Sequence, residues 1–114
     1  MSFSEQIAPF FWVETTSGFS ACLDAGDYKN EVFQARAEEG FEGNGYDWTS
    51  LAQVYLDEQC TAEIQSEIGF DPEAGMFCAY SENEEALKKF ILGFKQPCEN
   101  TAMIEDLFSR AEID

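Results

Sequence analysis

The segment EGNGYDWTSLAQVYL, residues 42–56, carries the reading of the fold. Gly43, Asn44 and Gly45 form a flexible stretch that runs straight into Tyr46, Asp47 and Trp48. Trp48, Leu51, Ala52, Tyr55 and Leu56 then fall at i, i+3, i+4, i+7 and i+8, the apolar stripe of an amphipathic helix that ends near Asp57 and Glu58. Asp47 stands just before the stripe, where a carboxylate accepts the free N–H groups of a first helical turn and sits well against the helix dipole, so it is predicted as the cap. The glycines permit backbone angles that other residues resist, and the aromatic triplet behind them fixes where the helix begins. Trp48, at the head of the stripe, is predicted to be core, as is Trp12. Tyr46 and Asn44, on the glycine-rich loop, are the better candidates for the surface.

On the N-terminal side, FFWVE (10–14) and FSACLD (19–24) flank TTSG and predict a hairpin closed by Gly18. Asp27 is the expected cap of a helix over about 28–39, with Gly40 as its left-handed stop. On the C-terminal side, 61–69 reads as loop or short helix leading into a strand. IGFDPEAGMFCAYS then predicts a second hairpin turning at Asp71-Pro72-Glu73-Ala74-Gly75. Ser81 and Glu84 form a capping box for a helix over about 82–95, with Leu87, Phe90, Ile91 and Phe94 inward and Pro97 as its stop. A last helix, capped by Asn100 or Thr101, buries Met103, Ile104, Leu107 and Phe108.

The order is strand, strand, helix, helix, twice. Gly18, Phe33 and Leu51 recur at one constant offset as Gly75, Phe90 and Phe108, a weak echo of a ββαα repeat. The expected fold is α+β: one domain over 1–114, with an antiparallel sheet of about four strands in two hairpins and about four helices packed on one face.

Charge narrows the function classes. The 114 residues hold 23 acidic and 6 basic side chains, for a net charge of -17. Such a surface repels nucleic acid and anionic lipid and steers cationic partners toward itself, although solubility alone also accounts for acidity. The acids are spread along the chain, which argues against a disordered tail. No apolar run approaches a membrane span, and MSFSEQIAPFFWVE lacks the positive start of a signal peptide, so a cytoplasmic protein is expected.

Catalytic chemistry finds little to use. There is no histidine, the usual base and metal ligand. Cys22, Cys60, Cys78 and Cys98 show no metal or redox spacing, and no basic residue adjoins any of them. They read as reduced, inert thiols, with Cys22 and Cys78 in apolar stretches. Carboxylate pairs such as Glu84-Glu85 read as solvated helix faces, DAGDYKNE lacks the pattern of a calcium loop, and GNG is too short for a nucleotide fingerprint. No metal and no cofactor is expected. What remains is a recognition surface in which aromatic anchors sit among steering acids. Its candidate contacts are Glu42, Asn44, Tyr46 and Glu73.

The blocks EGNGYDWTSLAQVYL (42–56) and FDPEAGMFCAYSENEEALKKF (70–90) resemble the immunity protein 51 family of bacterial polymorphic toxin systems. The resemblance spans roughly residues 10–95. The run Gly43 to Trp48 is the more specific part, Asp71 to Phe77 is turn-like, and the helix after Pro97 adds nothing. It implies a small cytoplasmic protein that binds and neutralises a cognate secreted toxin domain, a nuclease or another enzyme with a basic cleft, by stoichiometric occlusion. It transfers no contact residue. Two other readings stand beside it: an acidic mimic of nucleic acid that blocks basic DNA- or RNA-binding proteins broadly, and a small enzyme using Cys22 or a carboxylate pair.

Overall fold

A computed structural model describes residues 2–112. The chain runs α1 (Phe3–Ile7), β1 (Phe11–Thr15), β2 (Gly18–Asp24), α2 (Asn30–Gln34), a 3-10 turn (Ala37–Glu39), α3 (Gly45–Gln59), α4 (Ala62–Glu67), β3 (Gly69–Phe70), β4 (Met76–Ser81), α5 (Glu84–Cys98) and α6 (Thr101–Phe108). The four strands form one antiparallel sheet in the order β1-β2-β4-β3, as expected for an α+β fold built from two hairpins. The hairpins meet along β2 and β4, the two central strands. The repeated ββαα order is present, with α1 ahead of it and α4 between its halves. Of the six echoed positions, Phe33, Leu51, Phe90 and Phe108 are buried, and the two glycines adjoin the hairpin turns.

The helices cover one face. Ala21 and Leu23 of β2 with Phe77 and Ala79 of β4 point into a core shared with Leu51, Leu87, Phe90, Ile91, Phe94 and Leu107. Trp48 is its centre: fully buried, with Phe10, Tyr28, Phe33, Phe77 and Phe94 around it at ring-centroid distances of 5.1 to 6.5 Å. Trp12 is only half-buried and packs on Phe3 and Phe19 at the margin of the core.

Helix ends depart from expectation, each for a local reason. The helix expected over 28–39 is short, because Lys29 adopts the left-handed conformation and α2 starts at Asn30, so Asp27 does not cap it. Beyond Gln34 the chain tightens into the 3-10 turn, and Arg36 swings its guanidinium onto the carbonyl oxygens of Phe108 (2.5 Å) and Ala111 (2.9 Å). Gly40 does end this segment in the left-handed region. The Ser81 box gives way to Asn83, whose side chain accepts from the N–H of Ala86 at 3.1 Å, while Ser81 stays in β4 and accepts from the N–H of Asn83. Pro97 lies inside the last turn of α5 and does not stop it; one lost N–H bond is tolerated there, and the N–H of Glu99 closes the turn on the Lys95 and Gln96 carbonyls. Asn100 caps α6.

Candidate recognition surface

The start of α3 builds the first part of the site. Asn44, not Asp47, is the cap: its Oδ1 accepts from the N–H of Asp47 at 2.9 Å. Asp47 sits in the first turn, 5 % exposed, and its Oδ2 reaches back to the N–H groups of Glu42 (2.6 Å) and Gly43 (2.8 Å). The Asn44 side chain thus serves the Asp47 backbone as a cap does, while the Asp47 carboxylate serves the two N–H groups upstream of the cap instead of that of Asn44. Gly43 carries a positive φ of 79°, and the loop therefore folds back tightly.

Gly45 docks this corner on the β3–β4 turn. Its N–H donates to the Ala74 carbonyl at 3.0 Å, and a β-carbon there would lie 1.9 Å from the carbonyl oxygen of Glu73. From the other side, the N–H of Ala25 bonds to the Gly75 carbonyl at 3.0 Å. Three connections, 24–27, 42–46 and 71–75, therefore converge at one end of the sheet. Glu73, distant in sequence from Glu42, Asn44 and Tyr46, is thereby brought to the same end of the sheet as they are. Glu42 and Glu73 are exposed, Tyr46 is 44 % exposed, and Asn44 is half-buried with its amide donating to Glu42 at 3.1 Å.

This cluster is predominantly acidic. Asp24, Asp27, Asp71, Glu42 and Glu73 are all exposed. No lysine or arginine occurs from Ala37 to Leu87, while acids recur throughout that stretch. Lys29, Arg36, Lys88, Lys89, Lys95 and Arg110 each pair with a carboxylate elsewhere: Glu99, Glu39, Glu84, Glu85, Glu99 again, and Glu58 with Asp106. Lys29, beside the Asn30 that packs on Gly43, is the nearest cation in sequence to this end, and Glu99 pairs with it; the balance of the loop end is acidic.

The second part was not anticipated from sequence. The strand register puts Phe11, Cys22 and Cys78 in one row across the sheet, and Val13, Ser20, Tyr80 and Gly69 in the next. These rows lie on the face opposite the helices. Phe11, Val13 and Tyr80 are 39 %, 37 % and 48 % exposed, and they are three of the five large apolar side chains exposed among the described residues. The Tyr80 ring lies across Gly69, where an added β-carbon would come within 2.5 Å of it. The paired residues Asp24 and Met76 continue the same face to the 71–75 turn. Loop cluster and open sheet thus form one continuous surface, aromatic and aliphatic within and acidic at its loop end. The signal was in β1: Phe11, Trp12 and Val13 are consecutive apolar residues, whereas a strand with one solvated face alternates.

The thiols divide by environment. All four are free. Cys98 is fully buried, and burial raises its pKa, as it does that of the half-buried Cys60. Cys22 and Cys78 touch, with Sγ atoms 3.4 Å apart. Among the described residues no group of three or more cysteine, aspartate or glutamate side chains is arranged to hold a metal ion, and no helix is long and apolar enough to cross a membrane. An apolar cleft between α3, α5 and α6, lined by Tyr55, Gly93, Pro97, Met103 and Leu107, has one carboxylate at its rim, Asp106, which Arg110 holds.

The sequence model of the family described as Immunity protein 51 matches residues 10–113. No curated protein and no solved structure gives a match.

Proposed function

Because the chain belongs to the immunity protein 51 family, we propose that it acts by binding, not by catalysis: it captures a cognate secreted toxin domain and occludes it in a one-to-one complex. The observation that carries this reading is the predominantly acidic loop end of the molecule, where the bond from Gly45 to Ala74 docks the segment of Glu42 and the exposed Tyr46 on the turn that carries Glu73. Unpaired surface charge of one sign steers an oppositely charged partner and accelerates encounter, while exposed aromatics supply the desolvated anchor once contact is made. The toxin is accordingly a basic domain, such as a nuclease, and it meets Glu42, Asn44, Tyr46 and Glu73. The protein acts in the cytoplasm of the producing cell.

The test is co-expression with the toxin domain encoded next to the gene, followed by rapid-mixing kinetics on the purified pair. Protection from killing and a stable complex are expected, with an association rate that falls steeply as salt rises. Reversing both acids, Glu42→Lys with Glu73→Lys, should slow association about tenfold or more at low salt and flatten its salt dependence. Undiminished lethality with no complex at low salt would end the proposal. Equal binding to several unrelated basic nucleases would instead favour broad mimicry of nucleic acid.

A further inference from the structure

Cys22 and Cys78 face each other on the central strands, and the backbone bonding defines the kind of pair they make. On the β3 side, Asp71 donates its N–H to the Cys78 carbonyl at 2.9 Å, and Glu73 and Met76 exchange both of their bonds. Alternate residues of β4 therefore spend their backbone groups on β3, and Cys78 is one of them. Toward β2 it forms the narrow pair without hydrogen bonds, in which Cα atoms lie about 4.5 Å apart and side chains are closest. That separation falls within the range that a disulfide spans. Cys78 also lines a groove open to solvent, together with Ser20, Asp71 and Tyr80.

We propose that Cys22 and Cys78 form an oxidation site, a dithiol that a hydroperoxide converts to a cross-strand disulfide joining β2 to β4. Cys78 reacts first. The thiol of Cys22 and the hydroxyl of Ser20 both donate toward its sulfur, which favours its thiolate and holds its pKa below the usual thiol range. The same contact, with burial and the nearby Asp24 charge, raises the pKa of Cys22.

The Cys78 sulfur attacks one peroxide oxygen and the O–O bond breaks. The departing oxygen leaves as water after taking up a proton, and Cys78 becomes a sulfenic acid. The sulfur of Cys22 then displaces that hydroxyl: the S–S bond forms, the S–O bond breaks, and the thiol proton leaves with the hydroxyl as a second water. Two thiols and one peroxide give one disulfide and two waters, and the two electrons lost by sulfur reduce the peroxide. A dithiol reductant reverses the step by exchange. Cys60 and Cys98 are free, and burial disfavours their thiolates.

The test uses the full chain and hydrogen peroxide, read by intact mass, thiol titration and a non-reduced peptide map. Expected are a loss of two hydrogens with no oxygen gained, a fall from four titratable thiols to two in denaturant, a Cys22–Cys78 peptide cross-link, and full reversal by dithiothreitol. Cys22→Ser should divert the product to oxygen addition on Cys78, and the Cys60→Ser, Cys98→Ser double variant should behave as the parent. Oxygen addition on Cys78 in the parent chain, a cross-link through Cys60 or Cys98, or reaction only after unfolding would each overturn the proposal. None of these readouts involves a toxin, so the result is independent of the binding reading.

Discussion

Asp47 holds Gly43: from the first turn of α3 its carboxylate accepts the buried N–H of Gly43 at 2.8 Å, and that of Glu42 with it. The loop that carries Glu42 and Asn44 is thus fastened by a buried charge, and hydrogen bonds to an ionised acceptor are among the strong ones. Asp47→Ala leaves two N–H groups without an acceptor and is expected to cost about 2–4 kcal/mol in urea unfolding. A loss below about 0.5 kcal/mol would show that the loop does not depend on this contact.

Gly45 predicts a contrast with a second glycine. A β-carbon on Gly45 would lie 1.9 Å from the Glu73 carbonyl oxygen and 2.3 Å from that of Met76, both backbone atoms that cannot step aside alone. Gly45→Ala should therefore destabilise by about 2 kcal/mol or more, and should separate the two halves of the acidic cluster. Gly75, in the adjoining turn, has nothing within 4 Å of the same position, so Gly75→Ala should fall within about 0.5 kcal/mol of the parent. Equal effects of the two changes would contradict the docking described for Gly45.

Arg36 ties the end of α6 to the segment after α2. One guanidinium nitrogen serves the Phe108 and Ala111 carbonyls, and the plane lies over the rings of Phe41 (4.6 Å) and Phe108 (4.9 Å). Carbonyls at a helix end need such donors, and an ammonium cannot serve them while also gripping the Glu39 carboxylate through two further nitrogens, as Nε and Nη2 do. Arg36→Ala is expected to lower stability by about 2–3 kcal/mol, and Arg36→Lys to restore less than half of it. Faster amide exchange confined to α6 would accompany both; parity of the lysine variant with the parent would refute the argument.

Tyr28 and Glu99 give a pH signature. The Tyr28 hydroxyl donates to the Glu99 carboxylate, and this bond, followed by the charges of Lys95 and Lys29, lowers the Glu99 pKa from its ordinary 4.5. Burial and the same bond raise that of Tyr28. A depressed carboxylate contributes stability that is present above its unfolded pKa and is lost as pH falls through the folded one. The stability gap between the parent and Tyr28→Phe should thus hold from neutral pH down to about 4.5 and shrink below it. The carboxylate is half exposed, so the gap should be modest, about 1 kcal/mol or less. A gap that stays constant from pH 7 to pH 3 would assign the loss to packing alone.

The exposure of the proposed contact residues was legible in part. Glu42, Tyr46 and Glu73 could be picked out because they sit on turn-forming sequence, and turns reach the surface. That the two turns touch was not legible, because the contact depends on a glycine Cα fitting between carbonyl oxygens of a distant hairpin. The open sheet face was missed although β1 carries apolar residues at both parities. Nor could Asp47 be assigned correctly: one carboxylate before a helical stripe fits either the cap or the first turn, and only the path of residues 42–44 distinguishes them.

Taken alone, the sequence determined the α+β class, the two hairpins, the inward stripes of α3 and α5, and the strongly negative charge; in α6 it placed Ile104, Leu107 and Phe108 correctly but not Met103, which is 47 % exposed. Each of these follows from local periodicity, turn chemistry or composition. Only the tertiary structure decided which turns meet, which sheet face stays open, and that Cys22 lies against Cys78. The reason is that strand order and register are set by burying the core face as a whole. A register fixed by Ala21, Leu23, Phe77 and Ala79 on one side dictates every neighbour on the other, and no short window of sequence contains that constraint.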